Sequence, residues 1–177
     1  MKTALLLILA AMTILNPSKT QAAELTSLSP GINEVHIQHN GHSRRLLVTT
    51  PETYDPQSTY PILMCFHGAG GKANSQSDRW SPQADKNGLI VICAEAIRPQ
   101  AKWNFKDNFH AEEYDDVGFI SNVVGILIEN KIADEKAVYA TGHSSGGLFC
   151  YRLAKETDHF AAIAPMSCGM AKDAHDP

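Results

Sequence analysis

The stretch AVYATGHSSGGLFCYRLA, residues 137–154, decides how this chain folds. Ala137 to Thr141 is a short apolar run, the pattern of a strand buried on both faces. From Gly147 to Ala154 the apolar residues return at helical spacing. Between the two runs stands Gly142-His143-Ser144-Ser145-Gly146, a G-x-S-x-G sequence. A strand that turns sharply into a helix forces its central serine into a strained, exposed conformation. Bulky residues two places to either side would collide, so glycine is needed at 142 and 146. The helix N-terminus also brings backbone N–H groups and a positive dipole end beside the Ser144 hydroxyl. Ser144 is therefore the candidate nucleophile, and the bland alternative is a glycine-rich turn with no chemistry.

A second motif, His67-Gly68-Ala69-Gly70-Gly71, follows the continuous apolar run Pro61 to Phe66. Acyl transfer builds a negative oxygen in its tetrahedral intermediate, and backbone donors must already point at it. A glycine-rich loop at the carboxyl end of a strand can supply one such N–H. Ala69 is assigned that role, with Gly70 as the second choice, and Ser145 supplies the other donor. A phosphate-cradling loop would end in Gly-Lys-Ser/Thr, whereas Gly71-Lys72 is followed by Ala73. His67 reads as a residue that orients the loop rather than as a base.

Outward from these motifs the chain alternates. Residues 34–39 and 43–49 are strand-like and flank Asn40-Gly41, a favoured hairpin turn. Residues 73–87 read as helical, and Leu89 to Cys93 as another buried strand. Residues 95–114 are irregular and carry Trp103, Phe105, Phe109 and Tyr114. Asp115-Asp116 opens a helical pattern through Ile128, with acidic groups where the dipole favours them. Residues 160–165 form a last strand. Strands alternating with helices predict an α/β fold: a mostly parallel sheet behind an N-terminal antiparallel hairpin.

Together the two motifs resemble the α/β-hydrolase fold. More closely, the chain resembles secreted esterases of the polyhydroxybutyrate depolymerase and feruloyl esterase type. The stretches that carry the likeness are PILMCFHGAGG, KNGLIVICAE, KWNF, YDDVGFISNVV, VYATGHSSGGLFCYRLA and FAAIAPMS, spread over residues 44–170. The resemblance implies carboxylic-ester hydrolysis through an acyl-enzyme on Ser144, with Ala69 and Ser145 as the oxyanion hole. It implies no metal and no organic cofactor. The substrates would be small-molecule or polymeric esters: hydroxyalkanoate oligomers, feruloyl esters or short acyl esters. The loop at Trp103-Asn104 would lie near the substrate mouth, with Trp103 binding substrate; the equal alternative is a surface aromatic anchor that closes the core.

The same resemblance places the acid and the histidine of the triad after the serine, beyond two further strands. Here the last predicted strand ends near Pro165, followed by a polar tail with Asp173, His175 and Asp176. His159 falls between helix and strand, Asp115 and Asp116 start a helix, and His36, His39 and His42 flank the hairpin turn. None matches the family positions. The expectation is a truncated α/β-hydrolase domain with its C-terminal strands missing, which a separate C-terminal fragment could complement. A serine without its base is a weak nucleophile, so the competing expectation is a catalytically incomplete remnant or a non-catalytic binding protein.

Residues 1–22 read as a secretory signal peptide: Lys2, an apolar stretch from Thr3 to Leu15, then small residues with cleavage after Ala22. The alternatives are cleavage after Ala23 or an uncleaved anchor, but the apolar stretch is short for a bilayer span. The single domain then covers 23–177, exported to the medium or a periplasm, with no membrane contact after cleavage. Net charge is −4, and Arg44-Arg45 is the only arginine pair, so nothing forms the basic face of a nucleic-acid binder. Cys65 and Cys93 sit in apolar strands and read as buried thiols. Cys150 with Cys168 is the one pair worth testing as a bridge, and no cysteine or histidine spacing suits zinc.

Overall fold

A computed structural model describes residues 24–97, 101–105 and 114–170. The expected signal peptide, Phe109 and the tail residues Asp173, His175 and Asp176 lie outside that range. Just past the expected cleavage site, Leu25 is fully buried in the core, and the Glu24 carboxylate accepts a hydrogen bond from the His36 N–H at 2.9 Å.

Among the described residues six strands form one sheet: β1 (Gly31–His39), β2 (His42–Thr50), β3 (Tyr60–Phe66), β4 (Ile90–Ala94), β5 (Ala133–His143) and β6 (Ala162–Met166), in the order β1-β2-β4-β3-β5-β6. β1 with β2 and β2 with β4 are antiparallel. β4, β3, β5 and β6 run parallel. The hairpin turns as its sequence predicts: Asn40 and Gly41 take φ of 47° and 77°, and His39 pairs His42.

Two helical layers cover the sheet. α1 (Ala73–Trp80) and α2 (Pro82–Asn87) bury Ala73 and Ala84 against Leu47, Cys65, Val91 and Cys93. α3 (Asp116–Glu129) and α4 (Ser145–Glu156) bury Phe119, Val123, Phe149 and Leu153 against Ile62, Met64, Phe66 and Val138. Strand alternation sends odd and even residues of β3 to opposite layers. The single helix expected over 73–87 is two, because Pro82 has no N–H to donate and sits at the first position of a new helix. α2 then ends on Gly88 in the left-handed region, φ 60°. β5 is longer than expected, since Ala133 already pairs with Tyr60 across a bulge.

The parallel strands β3, β4, β5 and β6 all end at one edge of the sheet. That edge carries the loop after Phe66, the chain beyond Ala94, the turn at His143-Ser144 and the exit of β6.

Candidate active site

Ser144 stands between β5 and α4 with φ 52° and ψ −114°. A non-glycine residue there is strained by about 1–3 kcal/mol, and such strain persists only where the surroundings impose it. The surroundings do so here. The Ser144 N–H donates to the Met166 carbonyl of β6 at 2.9 Å, and the Ser144 carbonyl accepts from Leu148 N–H at 3.0 Å. A Cβ on Gly142 would lie 2.4 Å from the Gly146 carbonyl, and a Cβ on Gly146 would lie 2.3 Å from the Phe66 carbonyl oxygen. Both flanking glycines are therefore required by contact, as the motif demands.

The glycine loop lies against this bend. A Cβ on Gly68 would come within 3.6 Å of Ser144 Cβ and 3.2 Å of His143 Nδ1. Within the loop, Gly70 N–H donates to the Ala101 carbonyl at 2.8 Å and Gly71 N–H to the Gly68 carbonyl at 3.0 Å. Gly70 is thereby committed elsewhere. The Ala69 N–H has no protein acceptor among the described residues. The Ser145 N–H, at the first position of α4, likewise has none, as expected for a helix start. Ser145 also has its hydroxyl buried without a partner among the described residues.

His67 is fully buried. Its Nδ1–H donates to the Gly68 carbonyl at 2.7 Å, and its Nε2 accepts from Ala96 N–H at 3.0 Å. Those two partners fix a neutral tautomer that clamps the loop, so the ring is no base for Ser144.

Trp103 corrects an expectation. The resemblance puts it near the substrate mouth, yet it has no exposed surface. Its ring stacks on Phe149 at 5.0 Å, meets Phe66 edge-on at 5.1 Å, and its Nε1–H donates to the His67 carbonyl at 3.0 Å. The tryptophan thus supports the glycine loop from below. The neighbouring Asn104 N–H donates to the buried Asp116 carboxylate at 2.7 Å, which also pairs with Arg44. Burial pushes the Asp116 carboxyl above the usual carboxylate range, against the opposing pull of Arg44.

Ser144 Oγ makes no hydrogen bond to any described residue. His159 lies between α4 and β6, at the opposite end of the sheet from the serine. Asp115 caps α3 through Gly118 N–H and pairs with His39 at 3.1 Å. Among the described residues no three His, Cys, Asp or Glu side chains converge as metal ligands, and no helix is long and apolar enough to cross a membrane. The anchors that sequence reading missed are the carbonyls of Ala101 and Met166 and the N–H of Ala96. They are backbone groups, so no side-chain identity could have signalled them.

The fold has counterparts among solved structures. The poly(3-hydroxybutyrate) depolymerase LpqC from Bordetella parapertussis superposes with a TM-score of 0.62 at 23% identity, covering 84% of this chain and 54% of that one. An acetyl xylan esterase from Aspergillus awamori gives a TM-score of 0.62 at 18% identity, covering 81% and 56%. The chain has the α/β-hydrolase fold. No family model matches the chain. By sequence it is 26% identical over 133 residues to a bifunctional acetylxylan esterase/xylanase, XynS20E, of Neocallimastix patriciarum, covering 73% of this chain and 19% of that protein. It is 26% identical over 135 residues to feruloyl esterase B of Thermothelomyces thermophilus, covering 73% and 45%. The chain thus spans less than half the length of these two curated relatives.

Proposed function

We propose that this α/β-hydrolase cleaves carboxylic esters through an acyl-enzyme on Ser144. The observation that carries the reading is the Ser144 bend at φ 52° with two uncommitted N–H groups, Ala69 and Ser145, on the elements that flank it. Ser144 Oγ attacks the ester carbonyl carbon, and its proton passes to a base. The carbonyl oxygen becomes an oxyanion held by the two N–H groups, with the α4 dipole adding to them. Collapse expels the alcohol, and water then releases the acid. Ser144 Oγ hydrogen-bonds no described imidazole, so in this reading the base comes from outside the described residues, either from this chain or from a complementing fragment. Feruloyl, acetyl or hydroxyalkanoate esters are the substrates we infer, in line with the names of the relatives, and residues 1–22 direct export.

A fluorophosphonate probe tests the chemistry directly. Labelling of Ser144, lost in Ser144→Ala, together with turnover of p-nitrophenyl acetate or methyl ferulate, is the expected result. A folded sample that neither labels nor hydrolyses would favour the second reading, a non-catalytic remnant or binding protein. The unpartnered Ser144 hydroxyl is the observation behind that reading: losing the histidine of such a triad costs about a millionfold in turnover.

A further inference from the structure

Beyond the two glycines that the bend requires, α4 carries a third, Gly147, whose neighbour is unexpected. A Cβ at Gly147 would lie 2.5 Å from Cys168 Sγ. The chain leaves β6 through Ser167 at φ 55°, and the half-buried Cys168 thiol comes to rest on the bare backbone of α4. One turn further along α4 is Cys150, fully buried. Helical side chains lean toward the N-terminus, so the Cys150 thiol leans toward the patch that Cys168 covers. We propose that Cys150 and Cys168 are a cross-linking pair, and that a disulfide between them staples the exit of β6 to the first turns of the helix that carries Ser144.

The reaction needs an oxidant, either a low-molecular-weight disulfide or a thiol oxidoreductase. The accessible Cys168 thiolate attacks a sulfur of that disulfide and releases one thiol. Cys150 then loses its proton and attacks the Cys168 sulfur, releasing the second thiol. Two protein thiols are oxidised and one external disulfide is reduced. Burial holds both thiols above the usual range, and for Cys150 the neighbouring Cys168 adds to it, so the bridge closes faster as pH rises. Cys65 and Cys93 are paired across β3 and β4, yet both are sealed in the core where no oxidant reaches them. The staple would reinforce the joint that already holds the Ser144 N–H on the Met166 carbonyl. It stands whether or not Ser144 has the activity proposed above.

The test is a peptide map of the unaltered chain after equilibration with oxidised glutathione, alkylation in denaturant and tryptic digestion. The expected product joins the peptides Ala137–Arg152 and Glu156–Lys172, two hydrogens lighter than their sum, with Cys65 and Cys93 alkylated. Melting temperature should rise by several degrees over the reduced sample, and Cys168→Ser should abolish that gain. Gly147→Ala, which displaces the Cys168 thiol, should slow closure at least about tenfold, consistent with the tight geometry a disulfide demands. A stable mixed disulfide of Cys168 with glutathione beside a free Cys150, or a bridge to Cys65 or Cys93, would overturn the proposal.

Discussion

At Trp103 one side chain joins the core to the candidate site. Its rings share the hydrophobic centre with Phe66 and Phe149, while its single polar atom holds the His67 carbonyl. A buried tryptophan N–H generally finds such a partner. Trp103→Phe should keep most of the packing but lose that buried hydrogen bond, at a cost of about 1 kcal/mol in urea unfolding. Trp103→Ala should cost about 3–5 kcal/mol through the cavity it leaves. If the loop support is real, the phenylalanine variant should also label more slowly at Ser144 than its loss of stability explains. The sequence marked Trp103 as significant and mistook its position. An aromatic in an irregular segment gives no sign of which way it turns, and here residues distant in the chain, Phe66 and Phe149, turn it inward.

Among the elements, the hairpin and α3 are joined by ions as well as by packing. Arg44 of β2 pairs with Asp116 at the start of α3 at 2.6 Å, both fully buried, and its guanidinium lies 4.1 Å from the centre of the Phe119 ring. Removing one partner strands a buried charge. Arg44→Met or Asp116→Leu alone should each destabilise by about 3–5 kcal/mol, while the double variant should recover much of that loss in a double-mutant cycle. The outer face of the same hairpin behaves differently. Glu34 is held down to about 2, first by its hydrogen bond from Arg45 and then by His36. A depressed carboxyl contributes stability that is present above the ordinary value of 4.5 and is lost as pH falls through about 2. Glu34→Gln should therefore melt below the parent at about pH 6, by a small margin because the pair is exposed. The two melting curves should converge as the medium is acidified through that window. The hairpin was readable in advance because Asn-Gly sets its turn locally; its ion pairs were not, since Asp116 lies 72 positions from Arg44.

For the molecule as a whole, the sheet is covered unevenly. α1 and α2 pack on β2, β3 and β4, whereas Tyr139 of β5 and Ala162 and Ala164 of β6 are exposed on the described structure, Tyr139 at 37%. β6 is also the outer strand of the described sheet. An apolar face beside an open edge invites association. Tyr139→Lys should reduce self-association in sedimentation velocity while changing stability by no more than about 0.5 kcal/mol. An unchanged sedimentation profile would show that this face does not drive association.

What the sequence determined by itself is what neighbours in the chain can impose. The apolar runs set the strands, Asn40-Gly41 set the hairpin, and Gly142 answers a collision with Gly146 only four places on, whereas Gly146 is held bare by the Phe66 carbonyl of the distant β3. The tertiary structure alone decided which backbone groups were left over. Ala69 rather than Gly70 keeps a free N–H because Ala101, on a distant loop, takes the other. Trp103 lies inside because α4 and β3 close around it, and Cys168 meets Gly147 because β6 returns alongside β5. Such outcomes depend on contacts between segments far apart in the chain, and no local pattern of residue types encodes which donor another segment will occupy.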